Sequence, residues 1–258
     1  MNPILNTDSY KLSHYLQYPK DIKFVNSYIE SRGGRWNRLI FYGLQAFLIK
    51  YLSQKITAEN ISEACEFSKA HGMPFNKQGW EYILKEHGGA LPVSIESLKE
   101  GAIIGTENVL LQVQNTDEKV PWIVGWIETA LLRSIWYPVA VATQSYFCKQ
   151  TILRFLDETG DVTDAQFALH DFGARGASSF ESASIGGSAH LLNFGGSDTI
   201  AGALFAMKYY GGQMPAISIP ASEHSTMTAW GKDGEINAFK NMCERFGDGV
   251  FACVIDSY

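Results

Sequence analysis

The chain has 258 residues, 46% hydrophobic and 13% aromatic, which is enough apolar material for at least one sizeable core and for two domains, and argues against disorder. Its 21 Lys and Arg against 27 Asp and Glu give a formal charge of -6 with no basic run, so the electrostatic footprint of a nucleic-acid binder is missing and a small-molecule partner fits better. Cys65, Cys148, Cys243 and Cys253 form no CxxC pair, which argues against a zinc site or a dense disulfide framework and places them as thiols in a reducing cytoplasm.

The opening segment, residues 1–8, has no basic stretch followed by an apolar core, and nowhere does the chain approach the roughly 20 apolar residues that span a bilayer. The expectation is a soluble, non-exported protein. Residues 22–30 alternate with β-branched and aromatic side chains, and Ser31-Arg32-Gly33-Gly34-Arg35 breaks the run, predicting a strand and a loop. Residues 41–52 place Leu44, Phe47, Leu48 and Tyr51 at helical spacing; 59–70 and 79–85 read as further helices. Two strand-like runs follow at 91–98 and 102–114, punctuated by Gly101 and Gly105. Together they predict a small α+β layer with an antiparallel sheet, assigned to a first domain, 1–135. Residues 122–136 form an apolar helix that Pro138 ends or offsets, and 141–156 a second helix.

Residues 136–258 are assigned to a second domain with a different rhythm. Candidate strands at 166–171, 189–194, 216–219 and 250–255 alternate with helical runs at 178–187, 199–210 and 235–246, the pattern of parallel βαβ units. In a β/α barrel the chemistry sits in loops after the strands. Here those loops carry Asp171-Phe172-Gly173-Ala174-Arg175-Gly176, Gly195-Gly196-Ser197-Asp198, Ser222-Glu223-His224-Ser225 and Asp256-Ser257.

Arg175 lies between glycines that let the backbone approach a ligand, and its planar fork suits phosphate; an ion pair with Asp171 is the competing role. Asp198 in a Ser-Asp-Thr run is equally a helix N-cap; as a pocket carboxylate it would accept from an amide NH2 and repel a carboxylate. His224 sits among hydrogen-bonding residues and would serve as acid, base or nucleophile, a helix-start position being the bland alternative. Phe172 and Tyr10 are aromatic rings in polar surroundings, open to stacking on a flat heterocycle or to ordinary packing. The paired glycines at 186–187 and 195–196 match neither the Walker nor the dinucleotide spacing.

Taken together, Asp8-Ser9-Tyr10-Lys11, His170-Asp171-Phe172-Gly173-Ala174-Arg175-Gly176, Gly196-Ser197-Asp198-Thr199 and Glu223-His224-Ser225-Thr226 resemble the nicotinamide phosphoribosyltransferase family. Phe41-Tyr42-Gly43-Leu44-Gln45, Trp126-Ile127-Glu128-Thr129 and Trp136-Tyr137-Pro138 extend the resemblance over the chain in collinear order. It implies an α/β fold, an incomplete β/α barrel of the type II phosphoribosyltransferase kind beside an α+β domain. The implied reaction joins nicotinamide to phosphoribosyl pyrophosphate, giving nicotinamide mononucleotide and diphosphate for NAD salvage. Mg²⁺ accompanies the phosphates and ATP is a coupling substrate; no protein-held metal is implied. By resemblance, Phe172 and Tyr10 sandwich the pyridine ring, Tyr10 coming from the other subunit of a homodimer, and Asp198 binds the carboxamide. Arg175 holds phosphate or diphosphate, His224 is phosphorylated by ATP, and Asp256 lies near the ribose, with Asp8 and Ser218 completing the substrate-binding set. Chains of this family run on beyond the point where this one stops at Tyr258, so later barrel strands are expected elsewhere. Two alternatives stand: a nicotinate phosphoribosyltransferase, against which Asp198 argues, and a catalytically silent truncated or split fragment.

Overall fold

Alternation of apolar and polar residues builds the first sheet. The computed structural model describes residues 2–255, apart from the side chain of Asp164. β1 (Asn26–Glu30) and β3 (Val93–Ser97) flank β5 (Val109–Asn115) in an antiparallel sheet of order β1-β5-β3, with Ser27 and Ile95 both opposite Val113. Leu111 and Val113 face inward and Gln112 and Gln114 outward, as the alternation requires. The run 102–114 proves to be two strands. Glu107, in the left-handed region at φ 63°, turns the chain between β4 (Ile103–Gly105) and β5, and β4 pairs instead with a strand the sequence did not reveal, β2 (Arg38–Ile40).

Helices cover this sheet. α1 (Leu44–Phe47) continues into a wider turn over Leu48–Leu52. Reciprocal bonds between Thr57 and Asn60 open α2 (Ala58–Ala70), and Asn76 Oδ1, accepting from Gly79 N at 3.0 Å, opens α3 (Lys77–His87). Buried Trp80 of α3 meets Trp122 and Trp126 edge-on, with ring centroids 5.0 and 4.9 Å away, at the centre of the main core.

The two expected helices at 122–136 and 141–156 are one. α4 (Ile123–Thr159) runs 37 residues with Pro138 inside it. Pro138 has no N–H, which leaves the Ser134 carbonyl without its helical donor. Gly43 closes on that spot: at φ 110°, a Cβ there would stand 2.8 Å from the Ser134 oxygen and would overlap the Pro138 ring. A contact 90-odd residues away in sequence thus shields the weak turn, which local rules cannot anticipate. Among the described residues no helix is long and apolar enough to cross a membrane.

Beyond α4, α5 (Phe180–His190), α6 (Ile200–Ala206) with a wide turn over Met207–Gly211, and α8 (Glu235–Phe246) fall close to expectation, and a short helix outside the three expected runs, α7 (His224–Thr228), precedes α8. The strands depart from expectation. Residues 162–167 form a 3-10 turn, and Ala189–His190 end α5 rather than start a strand. Among the described residues, parallel pairing takes the form of single bridges, Asp171 with Ser197, Gly196 with Ile217 and Ala221 with Ala252. The second expected strand is therefore displaced to 195–197, because the apolar run 189–194 is spent packing the end of α5. Asn193 Nδ2 donates to the Ala142 carbonyl of α4 at 3.0 Å, and His190 stacks on Phe194 with centroids 5.0 Å apart.

Candidate active site

The bridges set the site. Ile217 N donates to Gly195 O at 2.8 Å and Ser197 N to Ile217 O at 3.1 Å, while Asp198 N donates to Asp171 O at 2.7 Å. These bonds bring the ends of three segments, at 171, 198 and 218, side by side. Close approach here needs glycine at 196, where a Cβ would stand 2.5 Å from His170 Nδ1.

Asp198 is the centre of the cluster. Ser218 Oγ donates a short bond to its Oδ1, and His170 Nε2 lies 3.1 Å from the same oxygen. A carboxylate only accepts, so His170 carries its proton on Nε2. The Ser218 bond first, and His170 second, hold the Asp198 carboxyl below its ordinary range against the opposing effect of burial. Oδ2 makes no hydrogen bond among the described residues and is open to a donor. The helix-capping alternative fails, since the N-cap residue of α6 is Thr199 and no side chain caps it.

Phe172 follows Asp171 directly, and its ring is 70% exposed. Arg175 lies exposed in the turn Ala174–Gly176. Asp171 does not pair with it: its Oδ1 accepts from Gly173 N at 2.9 Å, shaping the turn, and Arg175 has no ion pair among the described residues. The guanidinium is thus available to an anion.

His224 is the exposed first residue of α7, whose start is fixed by Glu223 N donating to Thr226 Oγ1 at 3.1 Å. The segment before it is tied to the last bridge by Ser222 N to Ala252 O at 3.0 Å and Val254 N to Ser222 Oγ at 2.7 Å. Asp256 lies outside the described residues. Tyr10 and Asp8 belong to the amino-terminal segment: Asp8 Oδ2 accepts from Thr129 Oγ1 at 2.6 Å, and the Tyr10 ring meets His14 edge-on at 5.1 Å. Among the described residues no ring contact joins Tyr10 to Phe172, and no group of three His, Cys, Asp or Glu side chains is spaced for a metal ion.

Two contributors lie outside the predicted set. His170, two residues before an exposed aromatic at a segment end, has a usable signal in the sequence. His190 is buried in α5, with Ser145 Oγ 2.9 Å from its Nδ1 and Leu169 O 3.2 Å from its Nε2. It braces the segment leading to His170 against α4, and nothing in its local sequence marks it. Behind Asp171, a cavity of about 220 Å³ reaches Gly186, Gly187, Tyr137 and Thr199, whose buried Oγ1 has no partner among the described residues.

Comparison with known proteins follows the same outline. Residues 2–95 match the family model described as nicotinamide phosphoribosyltransferase, N-terminal domain, and residues 167–258 match the nicotinate phosphoribosyltransferase family model. A nicotinamide phosphoribosyltransferase of Xanthomonas campestris pv. campestris is 46% identical over 261 residues, spanning 100% of this chain and 56% of the relative. One from Mycoplasma pneumoniae is 33% identical over 285 residues, spanning 99% and 59% respectively. This chain therefore spans less than two thirds of the curated relatives it matches. In fold it is similar to human nicotinic acid phosphoribosyltransferase, with TM-score 0.59 and 17% identity over 86% of this chain and 40% of that one. The nicotinate-nucleotide pyrophosphorylase from Pyrococcus furiosus gives TM-score 0.60 and 16% identity over 100% and 52%. The two family models meet opposite ends of the chain, and along its whole length the chain is similar to the N-terminal portion of nicotinamide phosphoribosyltransferases.

Proposed function

We propose that this chain supplies the pyridine-binding side of a phosphoribosyltransferase that joins nicotinamide to phosphoribosyl pyrophosphate, releasing diphosphate. The observation that carries the reading is Asp198, held ionised with Oδ1 engaged by Ser218 and His170 and Oδ2 open. Such an oxygen accepts a carboxamide N–H and repels a carboxylate. The exposed ring of Phe172 supports stacking on the pyridine, with Tyr10 of a second subunit as the opposing face, and unpaired Arg175 supports a contact to diphosphate or phosphate. The pyridine nitrogen already has a lone pair, so the site has no need of a general base. It acts by aligning that nitrogen with C1 of the ribose and by stabilising the charge that leaves with diphosphate.

The same reading includes Mg²⁺ travelling with the phosphates, ATP phosphorylating exposed His224, Asp8 and Asp256 as further substrate contacts, and a cytoplasmic homodimer. It treats residues 136–258 as the first part of a β/α barrel following an α+β domain at 1–135. The consecutive parallel bridges support that architecture. Exposed Ile217, Val250 and Ile255, 61–76% accessible, favour a second reading, in which the chain is silent until a partner polypeptide covers them.

The test is formation of nicotinamide mononucleotide from nicotinamide, phosphoribosyl pyrophosphate and Mg²⁺, by this chain alone and by the polypeptide that carries it. No product from either would sink the assignment, and product only from the longer polypeptide would favour the second reading for the isolated chain. Replacing Asp198 with Asn should move the nicotinamide-to-nicotinate preference toward the acid by about tenfold or more, the scale of one lost charged hydrogen bond. An unchanged ratio removes Asp198 from that role. Acid-labile phosphate from ATP should appear on the wild type and not on His224→Ala.

A further inference from the structure

The amino-terminal segment Ser9–Leu16 is a 3-10 helix, in which residues three apart lie on one face. Asp8 and Lys11 use that spacing to meet adjacent residues of α4. Asp8 Oδ2 takes the Thr129 hydroxyl at 2.6 Å, and the Lys11 ammonium pairs with the Glu128 carboxylate. The Lys11 side chain is only 3% accessible, so this pairing is obligatory: an ammonium at that depth without a counter-charge is costly. Ser9 is tied separately, its Oγ 2.7 Å from His71 Nε2 at the end of α2. Upstream, Thr7 Oγ1 donates to the Trp126 carbonyl at 2.8 Å.

Thr7, Asp8, Ser9 and Lys11 are therefore anchored through side-chain hydrogen bonds or an ion pair, while the Tyr10 ring, 56% exposed, rests only against His14 at 5.1 Å and under the Lys11 ammonium at 5.3 Å. A backbone pinned on both sides of an exposed aromatic costs nothing extra to order when that ring meets a ligand, because the ordering is already done in the free protein. We propose that Glu128 and Thr129 are positioning residues, acting through Lys11 and Asp8 to present the Tyr10 ring to the flat, electron-poor ring of the substrate. The inference rests on the nicotinamide reading above. It adds that the stretch of α4 carrying Glu128 and Thr129 is part of the binding apparatus, although neither side chain need touch the ligand.

The test is steady-state kinetics on the full polypeptide carrying this chain, with Glu128→Gln, Thr129→Val, Tyr10→Ala and each combined with Tyr10→Ala. Thr129→Val strands no buried charge, so it remains informative where Glu128→Gln folds poorly. Each single variant should raise the KM for nicotinamide by about tenfold, within the range that misplacement of a binding group produces, while the KM for phosphoribosyl pyrophosphate holds. In the Tyr10→Ala background either change should add nothing, since the route through Tyr10 is already cut. An unchanged KM in Thr129→Val and Glu128→Gln, or effects that persist undiminished without the Tyr10 ring, would overturn the positioning role and leave the function intact. Failure of the wild type to turn over nicotinamide would overturn both.

Discussion

The residues before α4 and those after it spend their side chains differently. The first region closes around one large core, with Trp80, Phe41, Ile83, Leu111 and Ile56 almost completely buried and five strands paired in two antiparallel sheets. The second has a small cluster of Met227, Ala238 and Met242, with sheet contact reduced to single parallel bridges. Many of its close contacts are made by glycines and small polar residues, and several of its large side chains, Phe172 and Ile217 among them, face outward while Phe194 and Tyr209 are buried. Rigidity in the first region comes from burial. In the second it comes from hydrogen bonds and from backbone proximity, which leaves polar side chains at the segment ends open to a ligand.

The sharpest way to break this contrast is to open the first core. Trp80→Ala removes a side chain 1% accessible that two other indoles pack against. It should cost about 3–5 kcal/mol, as large-to-small changes of buried aromatics do. Equilibrium denaturant unfolding gives the number; a loss below about 1 kcal/mol would mean the core is not the main support of the chain.

Close packing in the second region answers to a different change. Gly187 of α5 and Gly202 of α6 meet backbone to backbone, and a Cβ on Gly202 would stand 2.6 Å from the Gly187 carbonyl carbon. Adding one methyl should therefore force the helices apart, at about 1–3 kcal/mol, the usual cost of overpacking. Because Thr199 and Asp171 flank the crossing, Gly202→Ala should also weaken nicotinamide binding, whereas Trp80→Ala should leave binding by the folded fraction unchanged. Equal effects of the two substitutions on binding, measured by calorimetry, would erase the distinction between the regions.

How much of this was legible depended on the range of the interaction that decides each element. β1, β3 and α8 follow from local alternation or helical spacing and fall within a few residues of expectation. The continuity of α4 through Pro138 turns on Gly43, and the two-strand division of 102–114 on a turn at Glu107 and on pairing with three-residue β2. Neither leaves a local pattern. The run 189–194 misled because it is as apolar as a strand, yet its side chains cover the end of α5. The placement of Arg175, Asp198 and His224 just after the bridged segments was nevertheless readable, since polar groups bracketed by glycines or hydroxyl residues have little reason to be there for packing. His190 was not, since a buried histidine looks locally like any residue of its helix.

That histidine supplies the smallest expected effect and the most direct link between the regions, because Ser145 of α4 holds one nitrogen and Leu169 O accepts from the other. Burial lowers its pKa from the usual 6.5, outweighing the nearby Asp171 charge, which raises it, while His170 lowers it further. The folded state thus takes up this proton less readily than the unfolded chain. Stability from His190 is complete above pH 6.5 and falls as pH drops through that value toward the folded pKa. His190→Gln keeps a donor for Leu169 O and removes the titration. Between pH 8 and pH 5.5 the wild type should lose more in melting temperature than the variant, by about 2–4 °C, the scale of 1 kcal/mol in a chain of this size. Parallel melting curves across that interval would mean the imidazole is protonated as easily inside as in water, and the brace between α4 and the site would then have to be carried by Asn193 and the Ala142 carbonyl alone.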